Sequence, residues 1–590
     1  MTQAERNPFR VPLARPWLAR LLERALGLSS LAQIYDSRPR TAGAEPLLEH
    51  ALHSLDSPVQ LLGSSLQEVL PETGATLVVA NHPLGGIEGI ALSRALLAVR
   101  PDTKVLTNQL LATIPELTEL FLGVDVLGQK TAHKNTASVR AASDHLAQGG
   151  VLLVFPAGQV SAMRWGDFSV SDRAWNNLVG RLAVKYQATC LPVFVHGTNP
   201  LYFQLAGLVH KRLRTLLLPR QLANKAGQAV TLTVGAALRA RDYAKLSPAA
   251  VTHLLRMSTY FLAPGPAKAQ VTHRAQLAPS DPTGGSLELL AELAELAPYK
   301  LLSKGNFDVY CAPFGAMNLV FDALARAREV TFRAVGEGTG NDRDTDRFDP
   351  HYQHLFIWDN EQLAIVGGYR LGETDKIVAH FGVNALYSRS LYRYDAAYIH
   401  NIGKALEVGR SFVTEAYQRH PSALDLLWRG IGQYIVKHPQ YCVLFGCVSI
   451  SSDHSEMARA FISDAMMESF QAEQKFLADV KPIVPLRVKG KVWSNRMLAS
   501  IRDISVFNKL VGQCDPGKTI PILLRHYLAL NGRFVGFSVN RGFNDALDGL
   551  ILVDLRKMPT RYLNRYLGKD GLTNFLAYWK HHDSIKQSEY

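Results

Sequence analysis

The chemistry-bearing residues of this chain gather on glycine-rich turns. Asn81 to Gly89 reads NHPLGGIEG, with His82 and Glu88 six positions apart. An imidazole is the side chain best suited to act as a general base near neutral pH. A carboxylate beside it would orient the ring and stabilise the imidazolium. Gly85 and Gly86 let the backbone turn tightly and approach a substrate. Phe155 to Ser161 reads FPAGQVS, again small residues on a turn, and such a turn can offer N–H groups to an anion. Asn81, Gly85, Gly86, Phe155, Pro156, Gly158 and Ser161 are the expected substrate-binding residues around His82. No GxSxG motif is present, which disfavours a serine hydrolase.

A second set lies far along the chain. ALEVGRSFV, Ala405 to Val413, carries Glu407 and Arg410. LLWRGIGQYI, Leu426 to Ile435, places Arg429, Gly430 and Gly432 where a loop would enter a helix, leaving N–H groups free for phosphate. The competing reading is that these glycines pack a helix against its neighbours. The Gly-rich acidic stretch from Val330 to Gly372 holds His351 and His354, but their spacing is not a metal-ligand signature, and no metal is expected.

The elements around these turns read as an α/β protein. TLVVA, Thr76 to Ala80, is a buried strand ahead of the His82 turn, and IALSRALLAV after it is a helix. VLLVF ends in Pro156-Ala157-Gly158, and a further strand, TCLPVFVHG, follows at Thr189. Open α/β sheets place their sites on such turns at strand ends. A Pro-, Gly- and Ser-rich break at Thr272 to Gly285 reads as an interdomain linker. Beyond it a leading helix and alternating strands and helices show no internal repeat, so the halves are expected to be different folds. PWLARLLERALGL, Pro16 to Leu28, is amphipathic. It reads either as a helix packed on its own domain or as one lying on lipid.

A chain of 590 residues is too long for one core. Its formal charge of +13 and pI of 9.4 favour anionic partners. From Arg173 to Arg241 there is no Asp or Glu, while Arg173, Arg181, Lys185, Lys211, Arg212, Arg214, Arg220, Lys225, Arg239 and Arg241 all lie there. That window points to an anionic surface or ligand. Nucleic acid is not expected, since no helix-turn-helix, zinc-finger or RNP-type motif occurs. Five cysteines with no CxxC argue against a disulfide framework and a zinc site. No secretory signal and no spanning apolar run is read, so a cytoplasmic or peripheral protein is expected.

NHPxGGxEG, then FPAGxVS, then LPVFVHG, together resemble the glycerophosphate/lysolipid acyltransferase superfamily, and more narrowly its putative-hemolysin and ornithine-lipid O-acyltransferase branch, over roughly residues 60–240. Two departures stand out. The superfamily's His is followed by Asp after four residues, whereas five separate His82 from Glu88, and Ala157 stands where FPEG has Glu. The resemblance implies acyl transfer without a covalent acyl-enzyme: His82 takes the acceptor hydroxyl's proton, Glu88 holds the imidazole, and amides around Gly158 support the oxyanion.

FRAVGEGTG, FDPHYQHLFIWD, GGYRL, LEVGRSFV and the segment from Ile520 to Leu555 resemble the GNAT acyltransferase fold, and its ornithine-lipid N-acyltransferase branch, over roughly residues 300–557. That implies an amine attacking a thioester whose pantetheine lies between splayed strands. Glu407 is then the candidate proton acceptor, with a structural Glu407–Arg410 ion pair as the alternative. Arg410 and Asp548 are substrate-binding candidates, and Arg429, Gly430 and Gly432 hold the donor's phosphopantetheine. Leu427 stands where the usual pyrophosphate loop has Gln or Arg. Acyl carrier protein is therefore the expected donor, with acyl-CoA the other; no bound cofactor is expected.

The expected architecture is a two-domain α/β protein: 1–275 an O-acyltransferase sheet, 276–299 linker and leading helix, 300–590 a GNAT-like mixed sheet. The paired resemblance, to bifunctional ornithine-lipid synthases, implies N-acylation of ornithine with a 3-hydroxyacyl group and then O-acylation of its 3-hydroxyl. Acceptors would be an amino acid and a lyso-aminolipid, with the protein peripheral on the anionic surface of the inner face of the cytoplasmic membrane. Glycine, lysine or lysophospholipid acceptors, or a non-catalytic lipid-binding protein, are the alternatives.

Overall fold

The computed structural model describes residues 7–13, 15–39, 43–109, 111–124, 135–163, 170–209, 211–263 and 286–588. The expected linker segment 272–285 lies outside the described residues. The chain divides into two compact units. The first comprises Met1–Ala267 together with Lys489–Gly517, and the second Lys268–Val488 with Lys518–Tyr590. The segment Lys489–Gly517, expected in the C-terminal domain, thus belongs to the first unit.

The first unit is built on a sheet of seven strands: β1 (Val59–Gly63), β2 (Thr76–Ala80), β3 (Thr103–Asn108), β4 (Phe121–Val124), β5 (Val151–Val154), β6 (Thr189–Val195) and β7 (Val230–Val234), in the order β1-β7-β6-β2-β5-β3-β4. All neighbours are parallel except β6 and β7. β2 has strands on both sides, and all five of its residues are buried. That is why it reads as an unbroken apolar run. Its helices include α1 (Pro16–Leu26), α2 (Leu28–Asp36), α3 (Ala44–Ser54), α4 (Ile87–Leu97), α5 (Leu201–Val209), α6 (Lys211–Leu216), α7 (Leu218–Ala223) and α8 (Pro248–Tyr260).

α1 does not bury its apolar stripe. Trp17 and Leu21 are 60 % and 59 % exposed, Leu22 is exposed, and Ala19 and Glu23 face inward. Glu23 accepts from the Val11 amide and pairs with Arg10. The expectation that this helix packs its stripe on its own domain is therefore not met.

The second unit carries an eight-stranded sheet: β8 (Lys300–Lys304), β9 (Phe307–Pro313), β10 (Gln353–Asp359), β11 (Ala364–Glu373), β12 (Ala405–Val413), β13 (Val443–Ile450), β14 (Arg533–Asn540) and β15 (Ala546–Asp554), in the order β8-β9-β10-β11-β12-β13-β15-β14. Only β12 and β13 are parallel, and they pair over Ala405–Glu407 alone before β12 continues without that partner. The two strands therefore part at Glu407. Arg410 has φ +48°, and the β11–β12 register shifts between Gly368 and Arg370, so β12 is bulged just past the parting.

α9 (Ala423–Lys437) corrects one expectation. Arg429, Gly430 and Gly432 lie inside this helix, not in a loop at its start. A Cβ on Gly432 would come within 2.3 Å of the Tyr566 carbonyl oxygen, and one on Gly430 within 2.8 Å of Val309. Arg429 pairs with Asp425 one turn earlier at 2.8 Å. These glycines let the helix approach its neighbours; their amides belong to the helix and form no phosphate cradle.

Candidate active site

β2 delivers Asn81 and His82 to the C-terminal edge of the first sheet. The Asn81 side chain accepts from the Val195 amide at 2.6 Å and donates to its carbonyl at 3.0 Å. This locks the ends of β2 and β6 together. Asn199 donates to the carbonyls of Pro83 and Leu84, fixing the turn from the same side. Gly85 has φ +95°, and a Cβ there would lie 2.5 Å from Leu218.

The turn delivers Glu88 into the first turn of α4, fully buried beneath the imidazole. Its Oε1 lies 3.0 Å from His82 Nδ1, a contact bent away from a straight N–H···O line. The same carboxylate accepts from the amides of Leu84 (2.9 Å), Gly85 (2.8 Å) and Gly86 (2.9 Å). Those donors are the amides of the turn that leads into α4, with Gly86 at its N-cap. Burial alone would raise the Glu88 pKa, but the imidazole and the turn amides override it and hold the carboxyl at about 2. For His82, burial pushes the pKa down, while Glu88 and then Asp172 prevail and raise it above its ordinary value. The imidazole side chain is 20 % exposed and tilts against the Phe155 ring at 4.7 Å. Nδ1 faces Glu88, so Nε2 is the nitrogen free to take a proton.

The second turn is tied to the first. The Ser161 amide donates to the His82 carbonyl at 2.8 Å. The Ser161 hydroxyl donates to Asp172 at 2.5 Å, the His82 amide donates to the same oxygen at 3.2 Å, and the Trp175 indole donates to the other at 2.9 Å. Burial raises the Asp172 pKa despite these donors. Asp172 is absent from the expected residues: a lone Asp in a loop, its partner 90 residues away, carries no spacing signal. Asn81 and Ser161, expected on the substrate, have their polar groups engaged inside the protein. The Gly158 amide, expected to support an oxyanion, donates to the Phe155 carbonyl at 3.0 Å and closes its own turn. The Pro156 carbonyl likewise accepts from Asn176.

His82, Gly85, Gly86, Phe155, Pro156 and Gly158 line a cavity of about 1710 Å³. Its walls are mostly Leu, Val, Ile and Phe side chains from α2, α3, β3 and α7. Among the described residues no Asp or Glu lines it, and Arg181 and Arg214 bring the positive charge. The His82 imidazole thus stands in the wall of a largely apolar cavity.

In the second unit Glu407 is buried where β12 and β13 part. Its carboxylate accepts from the Tyr352 hydroxyl and from the amides of Tyr387 (3.0 Å) and Ser388 (2.7 Å). Arg410 does not pair with Glu407, contrary to the alternative raised from sequence. Its guanidinium meets Asp344 at 3.1 Å and Asp346 at 2.8 Å. Arg328 and Arg370 join the same acidic loop through Asp344, Asp346 and Asp349. The acidic stretch is thus an ion-pair network, and among the described residues no side-chain cluster suits a metal. Asp548, expected to read a substrate, is buried and accepts from Ser449 at 2.5 Å and Asn540 at 2.7 Å. Burial raises its pKa from the ordinary value despite these donors.

Two family models match the chain: one described as Acyltransferase over residues 58–265, and one described as Acetyltransferase (GNAT) domain over residues 327–429. The chain is similar to a glycine N(alpha)-acyltransferase of Phocaeicola vulgatus, 28% identical over 286 residues that make up 46% of this chain and 86% of that protein. It is similar to a lyso-glycine lipid O-acyltransferase of the same organism, 26% identical over 195 residues, 32% of this chain and 67% of that one. It is also similar to an L-ornithine N(alpha)-acyltransferase of Brucella abortus, 32% identical over 142 residues, 22% of this chain and 49% of that protein.

Proposed function

We propose that this chain, an acyltransferase joining an N-terminal acyltransferase domain to a C-terminal GNAT domain for O- and N-acyl transfer, makes a diacylated ornithine lipid in two steps. The GNAT domain acylates the α-amine of ornithine with a 3-hydroxyacyl group from acyl carrier protein. The N-terminal domain then esterifies the new 3-hydroxyl with a second acyl chain. The observation that carries the reading is the His82–Glu88 pair at the wall of the 1710 Å³ cavity. The relatives named for N-acyl and O-acyl transfer support pairing the two steps in one chain.

In the second step Nε2 of His82 takes the proton of the 3-hydroxyl as its oxygen attacks the donor thioester. The thiol of the donor leaves, and the imidazolium returns the proton to it. Glu88 stays ionised throughout and stabilises the imidazolium. In the first step the amine attacks the donor thioester, its proton passes through the Tyr352 hydroxyl to Glu407, the C–S bond breaks, and the departing thiolate takes that proton. The cavity exceeds the roughly 300–1,000 Å³ that hold a drug-sized ligand, in keeping with long-chain substrates.

Glycine is the second reading for the amino acid, favoured by the relatives named for it and by the greater share of their length matched. The membrane assignment draws on the exposed Trp17, Leu21 and Leu22 of α1 beside Arg20 and Arg24, and on the net charge. No helix among the described residues is long and apolar enough to cross a membrane. Expression in a host lacking aminolipids, followed by lipid mass spectrometry, tests the function. Acylated ornithine is expected; acylated glycine alone would replace the first reading by the second, and no acylated amino acid despite soluble protein would overturn both.

A further inference from the structure

We propose that Arg214 binds the carboxylate of the O-acyl acceptor, so that the N-terminal domain selects an N-(3-hydroxyacyl) amino acid bearing a free acid. The proposal rests on that domain performing the O-acyl step. Arg214 is 7 % exposed and lines the cavity that His82 also lines. Its guanidinium makes no hydrogen bond or ion pair among the described residues, and the charged group acting on it is another cation, Arg173. The sequence supplies no acid from Arg173 to Arg241 to neutralise it. A buried cation without a counter-ion is costly to keep unless a ligand supplies the anion. A carboxylate matches the guanidinium fork with two parallel hydrogen bonds.

The fold sets this cation on the wall of the cavity that His82 also lines. Gly207 of α5 makes room for it: a Cβ there would lie 3.1 Å from Arg214 Cδ and 3.6 Å from Nη1. The Leu217 amide donates back to the Leu213 and Arg214 carbonyls, so the helical path runs from α6 towards α7. Leu218, four residues after Arg214, packs against Gly85, and Leu222 packs against Gly86. Arg214 and the Leu218 and Leu222 side chains that touch the His82 turn thus line the same cavity. In an extended N-(3-hydroxyacyl) amino acid the hydroxyl and the carboxylate are roughly 6–7 Å apart, from bond lengths of about 1.3–1.5 Å. His82 and Arg214 line one cavity, which offers the hydroxyl and the carboxylate of one acceptor a partner each.

The test uses the full-length protein with N-(3-hydroxyacyl)ornithine and its carboxamide as alternative acceptors. Wild type is expected to favour the acid by roughly 10- to 100-fold in kcat/KM, mainly through KM, the worth of one charged hydrogen-bonded pair. Arg214→Gln should collapse that ratio towards one, and Arg214→Lys should recover part of it. Gly207→Ala, which presses on the Arg214 side chain, should lower the ratio while keeping the guanidinium, and decides the matter if Arg214→Gln does not fold. An undiminished ratio in Arg214→Gln and Gly207→Ala overturns the proposal. So does a raised donor KM with the ratio intact, which would assign the cation to the donor's phosphate. Failure of wild type to O-acylate either acceptor overturns the acceptor reading itself, and the carboxylate site with it.

Discussion

His82 and Glu88 meet across a turn: Nδ1 of the imidazole lies 3.0 Å from Oε1 of the carboxylate, with Leu84, Gly85 and Gly86 all donating amides to that same carboxylate. The extra residue between them is absorbed because Glu88 sits in the first turn of α4, where unpaired amides gather around it. The carboxylate thus shapes the turn and faces the imidazole at once.

Glu88→Gln separates the two duties. A general base works only when neutral, so activity rises with pH through the His82 pKa. Burial lowers that pKa and Glu88 raises it, with a net upward shift. Removing the charge should move the acidic limb of the O-acyl rate profile to lower pH while kcat falls roughly 10²-fold or more. A kcat/KM profile recorded with a purified N-(3-hydroxyacyl) amino acid checks it; an unmoved limb would detach Glu88 from the base.

The same carboxylate links stability to pH. Held at about 2 against an ordinary 4.5, Glu88 contributes stability that is fully present above about 4.5 and lost as pH falls towards 2. Chemical denaturation of the wild type and Glu88→Gln should give a stability gap that narrows on acidification through that window.

Gly432→Ala tests the reassignment of the GIG motif. The new methyl would press on the Tyr566 carbonyl, so thermal stability should drop, by about 1–3 kcal/mol. The KM for the acyl donor should stay at the wild-type value below the transition. A raised donor KM with unchanged stability would restore the phosphate role.

Glu407→Gln should abolish the N-acylated intermediate, and Tyr352→Phe should slow its formation through the hydroxyl that Glu407 accepts from. Single-turnover assays with acyl carrier protein donor read both. Normal first-step rates in both variants would leave Glu407 as the residue that holds the Tyr387–Ser388 turn.

Replacing Trp17, Leu21 and Leu22 together by Ala should release the protein from anionic vesicles. Each exposed side chain carries roughly 1.5–3 kcal/mol of burial on insertion. Rising salt should loosen the wild type further, since it screens the Arg contribution. Sedimentation with vesicles of defined charge checks both effects.

The sequence made the His82–Glu88 pairing legible because a buried strand, a turn and a helix are local signals, and both residues stand where they meet. Gly430 and Gly432 misled because a GxG pair looks alike in a phosphate loop and in a tightly packed helix. The apolar periodicity of ALDLLWRGIGQYIVK, unbroken on both sides of the pair, was the better signal. Glu407 and Arg410 are an odd number of residues apart, which in a regular strand sends them to opposite faces. The bulge at Arg410 then turns that guanidinium to the Asp344–Asp346 loop. Asp172 could not be read at all. Its donors, His82, Ser161 and Trp175, are brought together only by the folded chain.

The central claim is that the N-terminal domain esterifies the hydroxyl that the C-terminal domain's product supplies. Lipid mass spectrometry of His82→Ala and wild type, each expressed in a host lacking aminolipids, tests it most directly. Wild type is expected to give diacylated aminolipid, and His82→Ala the monoacylated 3-hydroxyacyl intermediate with the diacyl product lost, roughly 10²–10⁴-fold. Undiminished diacyl product from the variant would contradict it.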